Sequence, residues 1–272
     1  MSALARNNVK VSGLGHRPMI FAHGFGCDQN MWRYVTPAFE DEYKVIVFDH
    51  VGAGRSDLSS FERHKYQSLR GYASDILEIC HELDLHDVTF VGHSVSAMIG
   101  VLAAIAEPDR FSNLVLVGPS PRYINDGDYI GGFDRAEIDG LLETLDANYL
   151  GWASTMAPVI MGNAQRPELA SELQNSFCRT DPQIAKFFAR VTFLSDNRSD
   201  LQKVQTRTLI LQCSEDVIAP LTVGDFVHRN IRGSELVIMN ATGHCPNLSA
   251  PEETIAAICG FLRHSPAAAK AS

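Results

Sequence analysis

The chemically most informative residue of the chain is a serine in a tight, glycine-containing turn. Ser94 lies in the segment Gly92–Ser96 (GHSVS), after the apolar run Val88–Val91 and before a helical pattern that starts near Ala97. This strand–turn–helix context is what a nucleophile elbow requires, because a sharp turn projects the serine Oγ beyond the edge of the sheet. The usual motif ends in glycine, and the small Ser96 still allows close packing there. A serine that only caps the helix is the competing interpretation of this motif alone.

Two backbone N–H groups are candidates for an oxyanion hole. The segment His23–Gly26 (HGFG) follows the strand-like run Pro18–Phe21. In the fold that uses a nucleophile elbow, the loop after an early strand donates one N–H, and the residue after the nucleophile donates the other. The sequence therefore predicts the N–H groups of Phe25 and Val95 as donors, each contributing about 3 kcal/mol to lowering the barrier. A glycine turn without a chemical role is the alternative for HGFG.

An acid and a base follow later in the chain. Asp216 comes just after the apolar run Thr208–Leu211, and His244 comes just after the run Glu235–Met239. The order Ser94, Asp216, His244 is that of α/β-hydrolases and differs from the orders of chymotrypsin-like and subtilisin-like proteases. We expect His244 to take the proton of Ser94, while Asp216 orients the imidazole and stabilises its charged form.

Other residues compete for these roles. Glu215 is the rival acid, but Asp216 is preferred because it stands four residues before Pro220 in a D-x-x-x-P loop. His23 and His93 are weaker candidates for the general base, since each belongs to its own turn beside a proposed donor or the nucleophile. We expect both to support or line the site.

A second glycine-rich turn, Asp49–Asp57 (DHVGAGRSD), raises the alternative of a phosphate-binding loop. It lacks the lysine of a P-loop and the third glycine of a dinucleotide fingerprint, so a structural turn is favoured. Branches of the fold that use an aspartate nucleophile are disfavoured because Ser94 occupies the elbow.

Short apolar runs that alternate with helical patterns predict a mostly parallel sheet covered by helices. The predicted strands are Pro18–Phe21, Lys44–Phe48, Val88–Val91, Leu114–Val117, Thr208–Leu211 and Glu235–Met239. The predicted helices around them include Ser68–Leu83, Ala97–Ala106 and Pro251–Arg263.

Between residues 121 and 196 the strand pattern stops. Four helices are predicted there, at Asp134–Asn148, Tyr149–Met161, Pro167–Phe177 and Pro182–Leu194. The predicted organisation is an α/β core formed by residues 1–120 and 197–264, a helical lid formed by residues 121–196, and a disordered tail at residues 265–272.

Composition excludes several classes of function. The 272 residues carry a net charge of -9 without a cluster of Lys and Arg, which argues against nucleic-acid or anionic-membrane partners. No run of about 18 apolar residues exists, and Met1–Gly13 lacks the apolar region of a signal peptide, so we expect a cytoplasmic protein. The six cysteines form no C-x-x-C pair, which favours reduced thiols and predicts neither a zinc site nor another cofactor.

Over residues 8–264 the chain resembles the RsbQ-type hydrolases of bacterial stress signalling and is similar to the plant karrikin and strigolactone receptor hydrolases. The resemblance lies both in the catalytic core and in the helical region, and G-H-S-V-S-A with Ser96 occurs among these proteins. The segment Cys178–Pro182 resembles the bacterial RsbQ-type hydrolases more than the plant receptor hydrolases. The segments that carry the resemblance are Phe21–Gln29, Val91–Gly100, Ser120–Tyr123, Gly131–Phe133, Asn148–Ala153 and Gly243–Pro246.

The resemblance implies that the four helices form a V-shaped lid over an apolar pocket. The side chains implied as its lining are Phe25, Tyr123, Phe133, Trp152, Met156 and Phe193. The alternative is that these side chains form the core of the lid.

Two functions remain open at this point. The first is a serine hydrolase that cleaves a small hydrophobic ester or butenolide-like lactone through an acyl-Ser94 intermediate. The second, implied by the resemblance, is a signalling protein that binds or slowly hydrolyses a small ligand and then regulates a protein partner.

Overall fold

A seven-stranded sheet forms the centre of the fold. The structure is a computed structural model and describes residues 1–263. The strands are β1 (Lys10–Ser12), β2 (Arg17–Ala22), β3 (Tyr43–Val47), β4 (Val88–His93), β5 (Phe111–Val117), β6 (Arg207–Glu215) and β7 (Glu235–Thr242). Their order is β1-β3-β2-β4-β5-β6-β7, in which β1 is antiparallel to β3 and the remaining pairs are parallel.

All six predicted strands are present, and the central ones are buried as their continuous apolar runs indicate. Every residue of β4 is buried. The strand that the sequence analysis missed is β1, whose three residues are all exposed at the sheet edge. A short edge strand buries neither face, so it carries no apolar pattern.

Helices cover both faces of the sheet. They are α1 (Ala3–Arg6), α2 (Leu69–Glu82), α3 (Val95–Ala106), α4 (Arg135–Ala147), α5 (Tyr149–Met161), α6 (Pro167–Cys178), α7 (Pro182–Phe193), α8 (Leu221–Asn230), α9 (Pro246–Ser249) and α10 (Pro251–Arg263). Side chains of α2 and α3 form the core on one face, and Ile258, Phe261 and Leu262 of α10 pack on the other. No helix among residues 1–263 is both long enough and apolar enough to cross a membrane.

Helices α4–α7 lie between β5 and β6 and are called the helical insert below. They are the four predicted helices, with ends within one residue of the expected positions. Asp134 begins α4 in a capping box with Glu137, and Asp181 caps α7 by accepting hydrogen bonds from the first turn. The division into core and lid stays a prediction, and the predicted tail at residues 265–272 lies outside the described residues.

The insert has its own apolar core, and this core continues into the loops above the sheet. Helix α5 packs against α6, and α4 packs against both α5 and α7. Their buried side chains contact Cys27, Ile218 and Cys245 from the loops after β2, β6 and β7. The insert therefore covers the carboxyl ends of the strands, which is where open α/β sheets place their ligand sites.

Candidate active site

The turn between β4 and α3 holds Ser94 in a strained backbone conformation. Its φ of 57° and ψ of -123° lie in a region that residues with a side chain rarely adopt. Gly92 makes the turn possible, because a Cβ at this position would lie 2.4 Å from the carbonyl oxygen of Ser96. The turn follows β4 directly, and the side chain of Ser94 lies in the wall of a cavity described below.

The structure brings Ser94, His244 and Asp216 into one hydrogen-bonded chain. His244 Nε2 lies 2.7 Å from Ser94 Oγ, and His244 Nδ1 lies 2.7 Å from Asp216 Oδ2. All three residues are buried. They come from loops after three parallel strands, β4, β6 and β7, so the sheet itself sets their separation.

The carboxylate of Asp216 is held on both oxygens. Its Oδ1 accepts hydrogen bonds from the backbone N–H groups of Ile218 at 2.8 Å and Ala219 at 3.1 Å. Burial by itself would raise the pKa of Asp216. The adjacent His244 imidazole and the two N–H groups outweigh burial and hold this pKa below its ordinary value. Asp216 is therefore ionised at neutral pH and faces Nδ1 of His244 as an acceptor.

This arrangement fixes the direction in which a proton can move. An ionised Asp216 accepts at Nδ1 of His244, so Nδ1 carries the imidazole proton and Nε2 is free to accept one. Nε2 faces the hydroxyl of Ser94. The geometry is thus competent to remove the Ser94 proton, which is the activation that a serine nucleophile needs.

In residues 1–263, neither the rival acid Glu215 nor the rival base His93 makes a hydrogen bond to Ser94. Glu215 is exposed, and its carboxylate accepts from Thr242 Oγ1 at 3.2 Å. His93 donates from Nε2 to the carbonyl oxygen of His244 at 2.7 Å. Burial, together with the nearby His244, lowers the pKa of His93 to about 3, so it stays neutral and supports the backbone of His244.

Asp49 connects its glycine-rich turn to neighbouring segments of the chain. Its buried carboxylate accepts hydrogen bonds from the backbone N–H groups of Gln29 and Arg55 and from the side chain of Asn8. Through these contacts the carboxylate joins its own turn to the segments that contain Asn8 and Gln29.

The two predicted oxyanion donors belong to segments that lie close to Ser94. Val95 is the first residue of α3, where N–H groups have no partner within the helix. Among the hydrogen bonds of residues 1–263, neither Val95 nor Phe25 uses its backbone N–H. The loop that carries Phe25 lies close to the elbow, since a Cβ on Gly24 would lie 2.7 Å from His93 Nδ1. Their role as oxyanion donors stays a prediction.

A cavity of about 420 Å³, counting the space at its mouth, opens above Ser94 and His244. Three of the predicted lining residues, Phe25, Tyr123 and Phe193, are in its wall. Burial raises the pKa of the Tyr123 phenol, which is therefore neutral. The wall also contains residues that sequence reasoning missed, namely Cys27, Ile160, Leu173, Phe177, Thr192, Ile218 and Cys245. Of these residues, Cys245 could have been predicted to line the cavity, because it directly follows the candidate base His244 in the sequence.

The other three predicted lining residues require correction. Trp152 is buried behind the wall, where its ring packs 6.1 Å from that of Phe25 and 5.2 Å from that of Phe177. Phe133 and Met156 are half-buried and pack on the core of the insert. A helix points successive residues to different faces, so membership of α5 does not by itself place Trp152 or Met156 in the cavity, and Phe133 precedes the first helix of the insert.

The described residues offer no metal centre. In residues 1–263, no three His, Cys, Asp or Glu side chains come together at a distance suited to a metal ion. The six cysteines, all within this range, are free thiols.

Such a sheet, with a serine, a histidine and an aspartate on the ends of parallel strands, defines a hydrolase of the α/β-hydrolase fold. Residues 19–257 match the alpha/beta hydrolase family, to which the chain belongs. It is 39% identical over 259 residues to the Karrikin insensitive 2 receptor CA of Petunia hybrida, covering 95% of this chain and 96% of that one. It is 38% identical to the Strigolactone esterase D14 of Arabidopsis thaliana, covering 95% of both chains. The structure of a hydrolase from Oleispira antarctica matches with a TM-score of 0.94 at 43% identity, covering 97% of both chains.

Proposed function

We propose that this hydrolase cleaves a carboxylic ester or lactone with Ser94 as nucleophile, His244 as general base and acid, and Asp216 as the residue that orients His244. The observation that carries the proposal is the unbroken chain from Asp216 through His244 to Ser94, with both hydrogen bonds at 2.7 Å, at the base of an apolar cavity. A serine that only capped α3 would need neither partner, and Ser94 makes no capping hydrogen bond.

In the proposed reaction His244 Nε2 takes the Ser94 proton as Oγ attacks the carbonyl carbon of the substrate. The N–H groups of Phe25 and Val95 stabilise the negative oxygen of the tetrahedral intermediate. The bond to the leaving oxygen then breaks, and His244 returns the proton to that oxygen, which leaves an acyl-Ser94 ester. A water molecule, deprotonated by His244, attacks the ester and releases the acid and free Ser94.

The cavity supports a small hydrophobic substrate. Aromatic and aliphatic side chains such as Phe25, Leu173 and Phe177 form its wall, while Ser94 and His244 supply polar groups at its base. An apolar wall with few polar groups selects compact, weakly polar ligands. Two similar proteins are named as a Karrikin insensitive 2 receptor and a Strigolactone esterase. We therefore propose small esters and butenolide-like lactones as the substrate class, with residues 121–196 as the lid of the site.

The test is the turnover of p-nitrophenyl acetate and of a butenolide panel by the wild type and by Ser94→Ala. We expect Ser94→Ala to lose turnover while it still binds the ligands, as measured by a ligand-induced thermal shift. Equal turnover by the two proteins would refute the proposal.

A second candidate function is that of a signalling receptor. It is favoured by the 39% identity, over 95% of the chain, to a protein named as a receptor. The insert exposes the apolar side chain of Leu150 near the start of α5, which offers one position for a contact with a protein partner. In this case binding or slow hydrolysis in the cavity would change the surface of the insert.

The two functions differ in what the ligand does to partner binding. Affinity capture with the full chain, with and without a butenolide, is expected under the receptor function to recover a partner whose binding depends on the ligand. Leu150→Ser would weaken that binding while turnover in the cavity remains. Recovery of no ligand-dependent partner, with rapid turnover of the same butenolide, would favour the hydrolase alone.

A further inference from the structure

A buried chain of hydrogen bonds joins the elbow to the loop that carries Phe25. The hydroxyl of Ser96 donates to the carbonyl oxygen of His23 at 2.5 Å. His50, in the loop after β3, places Nε2 at 2.7 Å from the same hydroxyl oxygen. Ser96 and His50 are fully buried, and His23 is 1% exposed. The last position of the elbow motif, where glycine is usual, is thus used here to make a contact that glycine cannot make.

The chemistry of the groups places every proton in this chain. The carbonyl oxygen of His23 can only accept, so Ser96 donates to it and in turn accepts from His50, whose proton must be on Nε2. The backbone N–H of His50 donates to His23 Nε2 at 3.1 Å. The proton of His23 is therefore on Nδ1, which donates to the carbonyl oxygen of Gly24 at 2.9 Å. Burial and the neighbouring His23 lower the pKa of His50 well below its ordinary value, which agrees with a neutral imidazole.

We propose that Ser96 and His50 are positioning residues that set the two oxyanion donors at a fixed separation, an inference that rests on the proposed function. Ser96 directly follows Val95, and His23 stands two residues before Phe25. The bond from Ser96 to His23 therefore couples the two N–H groups through very short stretches of backbone. His23 holds the intervening Gly24 through its ring, so the loop is fixed on both of its carbonyl groups.

Stability alone does not account for this arrangement. His50 Nδ1 is buried and has no hydrogen-bond partner among the described residues, which is unfavourable for folding. Its ring lies among aromatic side chains, with Tyr72 at 5.6 Å and Phe188 at 6.1 Å between ring centres. A leucine would fill such a space without an unsatisfied nitrogen. The imidazole provides the Nε2–H donor that holds Ser96 in place.

The kinetic test compares Ser96→Ala with Ser234→Ala. Ser234 has a similar arrangement after α8, outside the cavity wall: its hydroxyl donates to the carbonyl oxygen of Ile231 at 2.9 Å and lies 2.9 Å from His228 Nδ1, from which it accepts. Loss of one whole oxyanion donor costs about 100- to 1000-fold in kcat, so a displaced donor in Ser96→Ala is expected to cost about 10- to 100-fold, with KM within about twofold. Ser234→Ala is expected to keep the wild-type kcat and KM.

A second pair of variants, both at His50, tests whether its hydrogen-bond donor or the volume of its side chain matters for kcat. His50→Gln retains a donor and is expected to keep most of the kcat, whereas His50→Leu is expected to behave like Ser96→Ala. Binding of a trifluoromethyl ketone, which forms a tetrahedral adduct on Ser94, should weaken in Ser96→Ala and His50→Leu in proportion to kcat. Equal activity of His50→Gln and His50→Leu would overturn the inference.

The protonation of the two rings gives a measurement on the unchanged protein. Long-range ¹H–¹⁵N spectra of the wild type are expected to show His50 protonated on Nε2 and His23 protonated on Nδ1. A His50 proton on Nδ1, or a kcat of Ser96→Ala equal to that of the wild type, would refute the inference and leave the proposed function standing. Wild-type turnover that does not depend on Ser94 would refute the proposed function and, with it, the inference.

Discussion

Asp216→Asn replaces one carboxylate oxygen of the candidate site by an NH₂ group and reverses the direction of one hydrogen bond. Ile218 and Ala219 both donate N–H groups to Oδ1 of Asp216. In the variant these donors require the amide oxygen at the Oδ1 position, which turns the amide NH₂ toward Nδ1 of His244. Nδ1 must then accept, so the imidazole proton moves to Nε2, where it faces the hydroxyl of Ser94.

The magnitude follows from this change of tautomer. An imidazole with its proton on Nε2 cannot remove the proton of Ser94, although the three side chains remain in place. The corresponding substitution in a serine protease lowers kcat by about 10⁴, which amounts to about 5.4 kcal/mol of barrier. We expect a loss of this order for Asp216→Asn, with nearly unchanged ligand binding.

The assay is steady-state hydrolysis of p-nitrophenyl acetate, with a thermal shift by a butenolide as the measure of binding. The matched control is Glu215→Gln, which alters the adjacent, exposed carboxylate that contacts Thr242. We expect this control to remain within about twofold of the wild type, as surface changes usually do. A loss below tenfold for Asp216→Asn, or an equal loss for Glu215→Gln, would refute the assignment of the acid.

Further predictions concern the turn, the acid stability and the cavity. Gly92→Ala is expected to destabilise the fold by at least about 2 kcal/mol in urea unfolding, because its Cβ would lie 2.4 Å from Ser96 O; a wild-type midpoint would contradict this. Lowering the pH from about 6.5 should reduce the free energy of unfolding by up to about 1.4 kcal/mol per pH unit for each of two buried histidines. Burial lowers the pKa of His93 to about 3 and that of His50 well below 6.5, so only the unfolded chain takes up these protons in that range. His93→Gln should therefore show a shallower pH dependence of its unfolding midpoint, and an unchanged slope would refute the argument. Phe193→Ala should enlarge the cavity and raise the preference for p-nitrophenyl butyrate over the acetate by about tenfold in kcat/KM; an unchanged ratio would show that Phe193 does not limit the acyl group.

The sequence predicted the parts of the fold that have a strong local pattern. Buried parallel strands are continuous apolar runs, so β4 and β6 could be recognised, and each of the four helices of the insert starts with a capping residue, a proline or both. The edge strand β1 and the helices α1, α8 and α9 were not among the predicted elements. The three exposed residues of β1 carry no apolar pattern that distinguishes them from a loop.

The candidate site likewise has parts that could be predicted from the sequence and parts that could not. Ser94, Asp216 and His244 could be brought together from the sequence because each follows a recognisable strand, and parallel strands end at one edge of the sheet. Spacing could not show that Trp152 lies behind the wall of the cavity, since that depends on how the insert helices pack. The bond from Ser96 to His23 crosses 73 positions of sequence, and no local pattern signals it.

The most direct test of the central claim is to trap the acyl-enzyme. The wild type is mixed with an excess of a slowly hydrolysed p-nitrophenyl ester, quenched in acid, and examined by intact and peptide mass spectrometry. We predict one acyl group per chain, on the peptide that contains Ser94, and none in Ser94→Ala. Turnover without an adduct on Ser94, or an acyl group carried instead by Cys27 or Cys245 in the wall of the cavity, would contradict the account.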